Sequence, residues 1–402
     1  MNSAPGYGSM QRWWELKRRD FLKLSAAASA GLVLGRPSFG QEQAAAPPAR
    51  ARTNIDAVKD APRVASSLPG PLPGRVVAVT DEHVVVDGAV DKAAVAAMFA
   101  RGLQTLTDRD AQGSFELLLR RDDVVGIKPN PVGAGLISTR HEVVDAIIDW
   151  LTGCGLPRGN IVIWDRFESM LLEAGFTPER YPGVGIEALQ IIDENFDPES
   201  GDTTGYLAAD GRHLSCDRFD PEVVYWADCE APQDAAYLNQ HVFNDQRSPF
   251  GKLLTQRLTK IINVPVFKNT GNGISMATKN IGYGAIANTG RLHRPLFFDV
   301  CTEVLAFPVI RDKLVLNVTD GIRGQYDGGP GPNAGFIYDH KTLYLATDPF
   351  ALDRTCHDLL VAKRKQMQVD VNEHPRFTEY LRYGERLGLG IADPARIEVV
   401  TV

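Results

Sequence analysis

The sequence predicts an α/β fold, a largely parallel β-sheet flanked by helices, on three observations. Short β-branched runs alternate with amphipathic stretches from Arg75 to the end of the chain. Several of those runs are continuously apolar, as strands covered on both faces must be. Five of them finish in a charged or amide residue, the pattern expected where strand ends meet a ligand at the carboxyl edge of a parallel sheet.

Taken in order, the first forty residues read as an address tag. Arg18-Arg19 precede Phe21, Leu22 and Lys23, and a modest apolar run follows from Leu24 to Leu34. This resembles a twin-arginine export signal, removed near Ser38 to Gln41; the run is shorter than the ~20 apolar residues of a span, so no stable membrane anchor is expected in the mature chain. The resemblance implies a partner, the twin-arginine export machinery, an extracytoplasmic location, and folding before export. Residues 41–74, rich in Ala, Pro and Gly, are expected to be an extended linker to an α/β domain over 75–402.

Within that domain the expected strands are "RVVAVT", "HVVVDG", "DVVGIKPN", "NIVIWDR", "IINVPVFK", "KLVLNVTDG", "TLYLATDP" and "RIEVVTV". The stretch "STRHEVVDAIIDWLTGCG" predicts a helix that opens on a Thr139/Glu142 capping box and stops at Gly153 or Gly155. A second helix begins at Pro349 with Asp348 as its N-cap, and His357 lies one turn after Asp353 on it, spaced for an i,i+4 pair. The section around residues 195–246 shows no period and reads as an irregular insertion.

Composition restricts function. The chain of 402 residues carries a formal charge of −7; residues 1–40 hold six Lys/Arg and two Asp/Glu, so the remainder stands at −11. So acidic a body is not expected to bind nucleic acid. The five cysteines include no C-x-x-C pair, against a clustered iron-sulfur or zinc site, although an oxidising compartment permits a Cys216–Cys229 disulfide. No metal and no cofactor are assigned, because no ligand spacing points to one.

The residues that carry chemistry are the polar strand ends. Asp348 and Asp320 also fit ordinary turn formers, but lysine does not, which singles out Lys128 and Lys268. In "FKNTGNGISMATKNIGYGAI" two Lys-Asn pairs, Lys268-Asn269 and Lys279-Asn280, stand amid Gly, Ser and Thr, a composition suited to oxygen-rich anions. Together with Lys128, Asn130, Asp165, Asp348 and Asp353 they are expected to line one cleft for an anionic small molecule. Lys268, Lys279, His293 and Asp320 are the expected catalytic groups, His293 being kept neutral by Arg291 and Arg294 beside it.

"VVGIKPN", "INVPVFKNTGNGISMATKNIGYG", "VTDGIRG" with "GGP", and "ATDPFALD" stand in the order found in one family. The chain resembles the bacterial and archaeal family of proteins with domain of unknown function 362 over about Arg75 to Arg364. The resemblance implies the fold and marks Lys128 with Asn130, Lys268, Lys279 with Asn280 and Gly282, Asp320 with Gly321, and Asp348 with Asp353 as a set. It implies no reaction. Some relatives carry iron-sulfur segments, and this chain departs from them in lacking clustered cysteines; it also has "STRHEVV" where a proline near His141 is expected. The leading expectation is an exported enzyme acting on a carboxylate or phosphate compound, the alternatives a binding or cofactor-maturation protein, or an iron-sulfur-associated redox protein.

Overall fold

The computed structural model describes residues 51–193, 214–229, 246–293 and 296–402. The signal and most of the expected insertion therefore lie outside the described residues. The strands are β1 (Arg75–Thr80), β2 (Val85–Val86), β3 (Ala89–Val90), β4 (Val125–Pro129), β5 (Ile161–Phe167), β6 (Gly185–Gln190), β7 (Phe219–Trp226), β8 (Arg247–Gly251), β9 (Lys260–Val264), β10 (Val266–Thr270), β11 (Gly273–Ile274), β12 (Leu314–Gln325), β13 (Ile337–Ala346) and β14 (Glu398–Thr401). The helices are α1 (Lys92–Thr107), α2 (Ala111–Leu118), α3 (His141–Gly153), α4 (Glu168–Glu173), α5 (Ala277–Gly282), α6 (Asp299–Ala306), α7 (Pro308–Arg311), α8 (Pro349–Gln366) and α9 (Arg376–Arg386).

One sheet runs in the order β14-β1-β13-β12-β9-β4-β5-β6, with β10 and β11 continuing off β12. Its pairs are parallel except where β13 lies antiparallel between β1 and β12 and where the short β11 turns back along β10, so the α/β, largely parallel reading holds. The strands are buried on both faces in the alternation the pleat requires. In β5, Ile161 and Ile163 pack into one core with α1 and α3, while Val162 and Trp164 pack into the other with α6. In β1, Val77 and Val79 join the first core and Val76 and Ala78 pack under α8.

Four expectations are corrected. "IINVPVFK" is two strands, because Pro265 has no N–H to give the ladder. β9 pairs β12 at Asn317, and beyond the proline β10 pairs it at Asp320 and Gln325, which carries Lys268 past the end of β9. "HVVVDG" is no sheet strand but half of the hairpin β2–β3, turned by Asp87 and Gly88, both at positive φ. The capping box of α3 does not form: the Asp320 carboxylate accepts the Arg140 N–H at 2.8 Å, while Thr139 Oγ1 donates to the Val264 carbonyl and accepts from Asn130 N–H. Finally, Asp353 does not pair with His357, whose ring meets Asp358, because its carboxylate is taken by α5.

The expected linker also proves to be fastened from Thr53, which bridges Ala227. The buried Arg311 guanidinium donates to the Ala61 and Pro62 carbonyls, Arg63 donates to Leu387 and Gly388, and Leu68 is wholly buried. Of the insertion, β7 is described, and it pairs antiparallel with β8, which begins just after the insertion. Cys154, Cys301 and Cys356 are free thiols, and β7 extends between Cys216 and Cys229.

Candidate functional site

At the carboxyl end of β4, Lys128 is 1% exposed and forms an ion pair with Asp165 at the end of β5. Its ammonium also donates to Asn280 Oδ1 at 3.2 Å and to the Pro129 carbonyl at 3.0 Å, and it stands 5.5 Å from the Trp164 ring centre. Asn280, on α5, returns its amide to the Lys128 carbonyl and to Asn263 Oδ1. The glycines around it have physical reasons. A Cβ at Gly284 would stand 2.6 Å from Lys128 Cε, and one at Gly282 would stand 2.8 Å from the Cys301 backbone on α6. The spacing K-N-x-G-x-G therefore lets a short helix lie against α6 and leaves room for a buried lysine.

Lys268, fully buried on β10, points across to the β4–α3 connection. Its ammonium donates to Asn130 Oδ1 at 3.1 Å and to the carbonyls of Val132 and Ile137 at 2.9 and 3.4 Å. Three acceptors match the three protons of an ammonium. Against them, burial first, and then the charges of Lys279 and Lys128, draw its pKa down to about 7.

Lys279 differs from both. It is partly exposed, and its ammonium stands 5.3 Å from the Tyr283 ring centre and 5.7 Å from that of Phe297. Among the described residues it has neither a hydrogen-bond acceptor nor an ion-pair partner. Burial and the nearby Lys128 charge lower its pKa. His293 packs on the same two rings, at 4.6 and 5.5 Å between centroids. Its Nδ1 lies 2.8 Å from the Thr289 carbonyl, which can only accept, so Nδ1 carries the proton and Nε2 the lone pair. Burial, then the charge of Lys279, hold its pKa near 4, so the ring is neutral at neutral pH. Thr289 Oγ1 in turn accepts from Arg166, buried at the end of β5, whose Nε donates to Gln190 Oε1.

The structure thus brings together Lys128, Asn130, Asp165, Lys268, Lys279, Asn280 and His293, and sets the other expected residues apart. Asp320 is committed to Arg140, bonding its backbone and its guanidinium. Asn269 clamps the loop after β12, accepting from Gly329 N–H. Asp353 accepts from the N–H groups of Ala277 and Thr278 and so seats α5 on α8; burial raises its pKa to about 6. Asp348 does not join the cluster, because β13 runs antiparallel and its carboxyl end lies at the opposite edge of the sheet. There it accepts four backbone N–H groups, from Gly74, Phe350, Ala351 and Ile391, while burial pushes its pKa up to about 7.

A family model described as domain of unknown function (DUF362) matches residues 125–358, more than half of the chain and the whole of this cluster. The chain belongs to the DUF362 family. A twin-arginine translocation signal matches residues 15–35, so this DUF362 protein is exported across the membrane by that route. No curated protein matches it significantly. No described helix is long and apolar enough to cross a membrane.

Three partners of the cluster escaped the sequence reading of this DUF362 chain. Asn263 and Asn317 sit inside the apolar runs of β9 and β12 and join Asn280 in a buried amide chain, 2.8 Å and 2.9 Å per link. Arg166 follows Asp165 at the end of β5. A lone asparagine in the middle of each of two apolar runs was the available signal, since a buried amide needs partners. Two surface depressions, of about 490 and 570 Å³, lie elsewhere. The first is lined by β1, β13, β14 and α8, the second by residues such as Val58, Phe307 and Lys313.

Proposed function

We propose that the cluster binds an anionic small molecule and that Lys279 is its point of attachment. The observation that carries this reading is the imbalance of charge. Lys268 and Lys279 stand with Lys128 beside them, and among the described residues the one carboxylate paired to any of the three lysines is Asp165. Like charges gathered in a poorly solvated place are unfavourable until an anion arrives, so the depressed pKa of Lys268 and of Lys279 is the counterpart of an affinity for negative charge.

The roles differ from those a strand-end reading suggests. Lys128 and Lys268 are saturated by protein oxygens and shape the pocket by fixing α5 and the β4–α3 connection. Lys279 is the cation with bonding capacity to spare, and His293 supplies a neutral base through Nε2. Proton transfer next to a bound carboxylate or phosphate is the reaction class this supports.

The test is calorimetric titration of the folded protein with inorganic phosphate and oxalate at low salt, beside Lys279→Met. Loss of one charge-assisted contact should weaken binding by about tenfold or more. If Lys279→Met, folded by circular dichroism, binds every anion as the parent does, the proposal fails.

A further inference from the structure

The environment of Lys279 fits a second chemistry. We propose that Lys279 acts as an amine toward the carbonyl carbon of the bound anion, forming an imine, which makes the ligand class an oxo acid. This rests on the reading that an anion binds at the cluster and names what else the anion carries.

Four features support it. Lys279 Nζ has no acceptor among the described residues, so no hydrogen bond need be broken before it reacts. It is partly exposed, so a small carbonyl compound can reach it, whereas Lys128 and Lys268 are sealed. It lies on the aromatic walls of Tyr283 and Phe297, and the Tyr283 hydroxyl is tied to the Phe297 carbonyl at 2.9 Å, which holds one wall to the other. His293, a neutral base, packs on those same rings. The lowered basicity of Lys279 adds a population of free amine.

The step balances without an oxidant or reductant. The amine lone pair forms the C–N bond as the carbonyl π pair moves to oxygen. His293 Nε2 relays two protons in turn to that oxygen, first the one the Lys279 ammonium gives up before its lone pair attacks and then one from the new ammonium, so the oxygen leaves as water when the C=N bond forms. The product iminium keeps the positive charge of Lys279, so the anion is still held while the adjacent carbon becomes acidic.

The experiment treats the folded protein with glyoxylate, and separately with ¹³C-formaldehyde, in the presence of cyanoborohydride, and maps the reduced adducts by mass spectrometry. Occupancy at Lys279 should exceed that of exposed lysines such as Lys59 and Lys92 by about tenfold, and phosphate should compete with it. Lys279→Arg cannot condense, so adducts at Lys59 and Lys92 should persist in it while the peptide carrying position 279 stays unlabelled. Adducts spread evenly over the lysines, in a protein that binds phosphate, overturn the imine and leave the anion site standing. Neither adduct nor phosphate binding overturns both.

Discussion

Raising the pH from 7 to 9 should strengthen this fold, and Lys268 governs much of the gain. Its ammonium, ordinarily at 10.5, is drawn down to about 7 by burial and by Lys279 and Lys128. Between those values the unfolded chain holds a proton that the folded chain has released. Stability therefore rises with pH across that window, by about 1.4 kcal/mol per unit, or roughly 3 kcal/mol from pH 7 to 9. Lys279, Lys260 and Lys313, all lowered by burial, act in the same direction. Above the ordinary thiol value of 9.0, Cys301 and Cys356 turn the slope back, because burial keeps them protonated in the fold. Below 7, His293 and His340, both near 4, favour stability rising with pH, and Asp348 and Asp353, raised to about 7 and about 6, favour its falling. Asp348 at the lower end of the alkaline window and the thiols at its upper end are common to the parent and to a variant without Lys268, so their difference isolates this lysine. Urea unfolding of the parent and Lys268→Met at pH 7, 8 and 9 measures it. The variant leaves three oxygens without a donor and will be less stable throughout, so the readout is the slope. Its gain should fall short of the parent's by roughly 3 kcal/mol. Equal slopes would refute the assignment of a depressed ammonium to Lys268.

Other consequences are as direct. Gly284→Ala sets a Cβ 2.4 Å from the Asn280 carbonyl and 2.6 Å from Lys128 Cε, and should cost about 1–3 kcal/mol, whereas Gly331→Ala, with nothing within 4 Å, should change stability by less than about 0.5 kcal/mol in thermal unfolding. Asp353→Ala strips two N–H acceptors from the start of α5 and should cost about 1–3 kcal/mol in the same assay, weakening anion binding through Lys279 as well. A chain begun at residue 75 loses the partners of Arg311 and the buried Leu68; its Tm should fall by about 5 °C or more against a chain begun at residue 51.

Much of the fold was legible because strands buried on both faces announce themselves as apolar runs, and the bond between Lys268 and Asn130 follows from two such runs ending side by side. Strand direction was not legible. "TLYLAT" reads the same whether it runs up or down the sheet, and its antiparallel course is what removes Asp348 from the cluster. Long-range replacement of local signals hid more. Thr139 has the spacing of a cap, yet Asp320, 180 residues distant, supplies the acceptor and frees the threonine to tie Asn130 to Val264. Residues 51–74 look like linker because their composition lacks a period, but an irregular segment can be held by guanidinium groups that belong to other elements.

That fastening gives the order of synthesis a meaning. The segment behind the export signal is made first, yet its clasps come late. Leu68 needs Arg311; Arg63 needs Leu387 and Gly388; Gly74 donates to Asp348, which also holds Ile391, and accepts from Glu398. A chain made only as far as Arg311 holds Leu68 but still lacks the partners of Arg63 and Gly74. The first part of the body to emerge is the last to close, so a shut clasp next to the signal reports a chain made at least as far as Glu398, on a route that carries its passengers already folded.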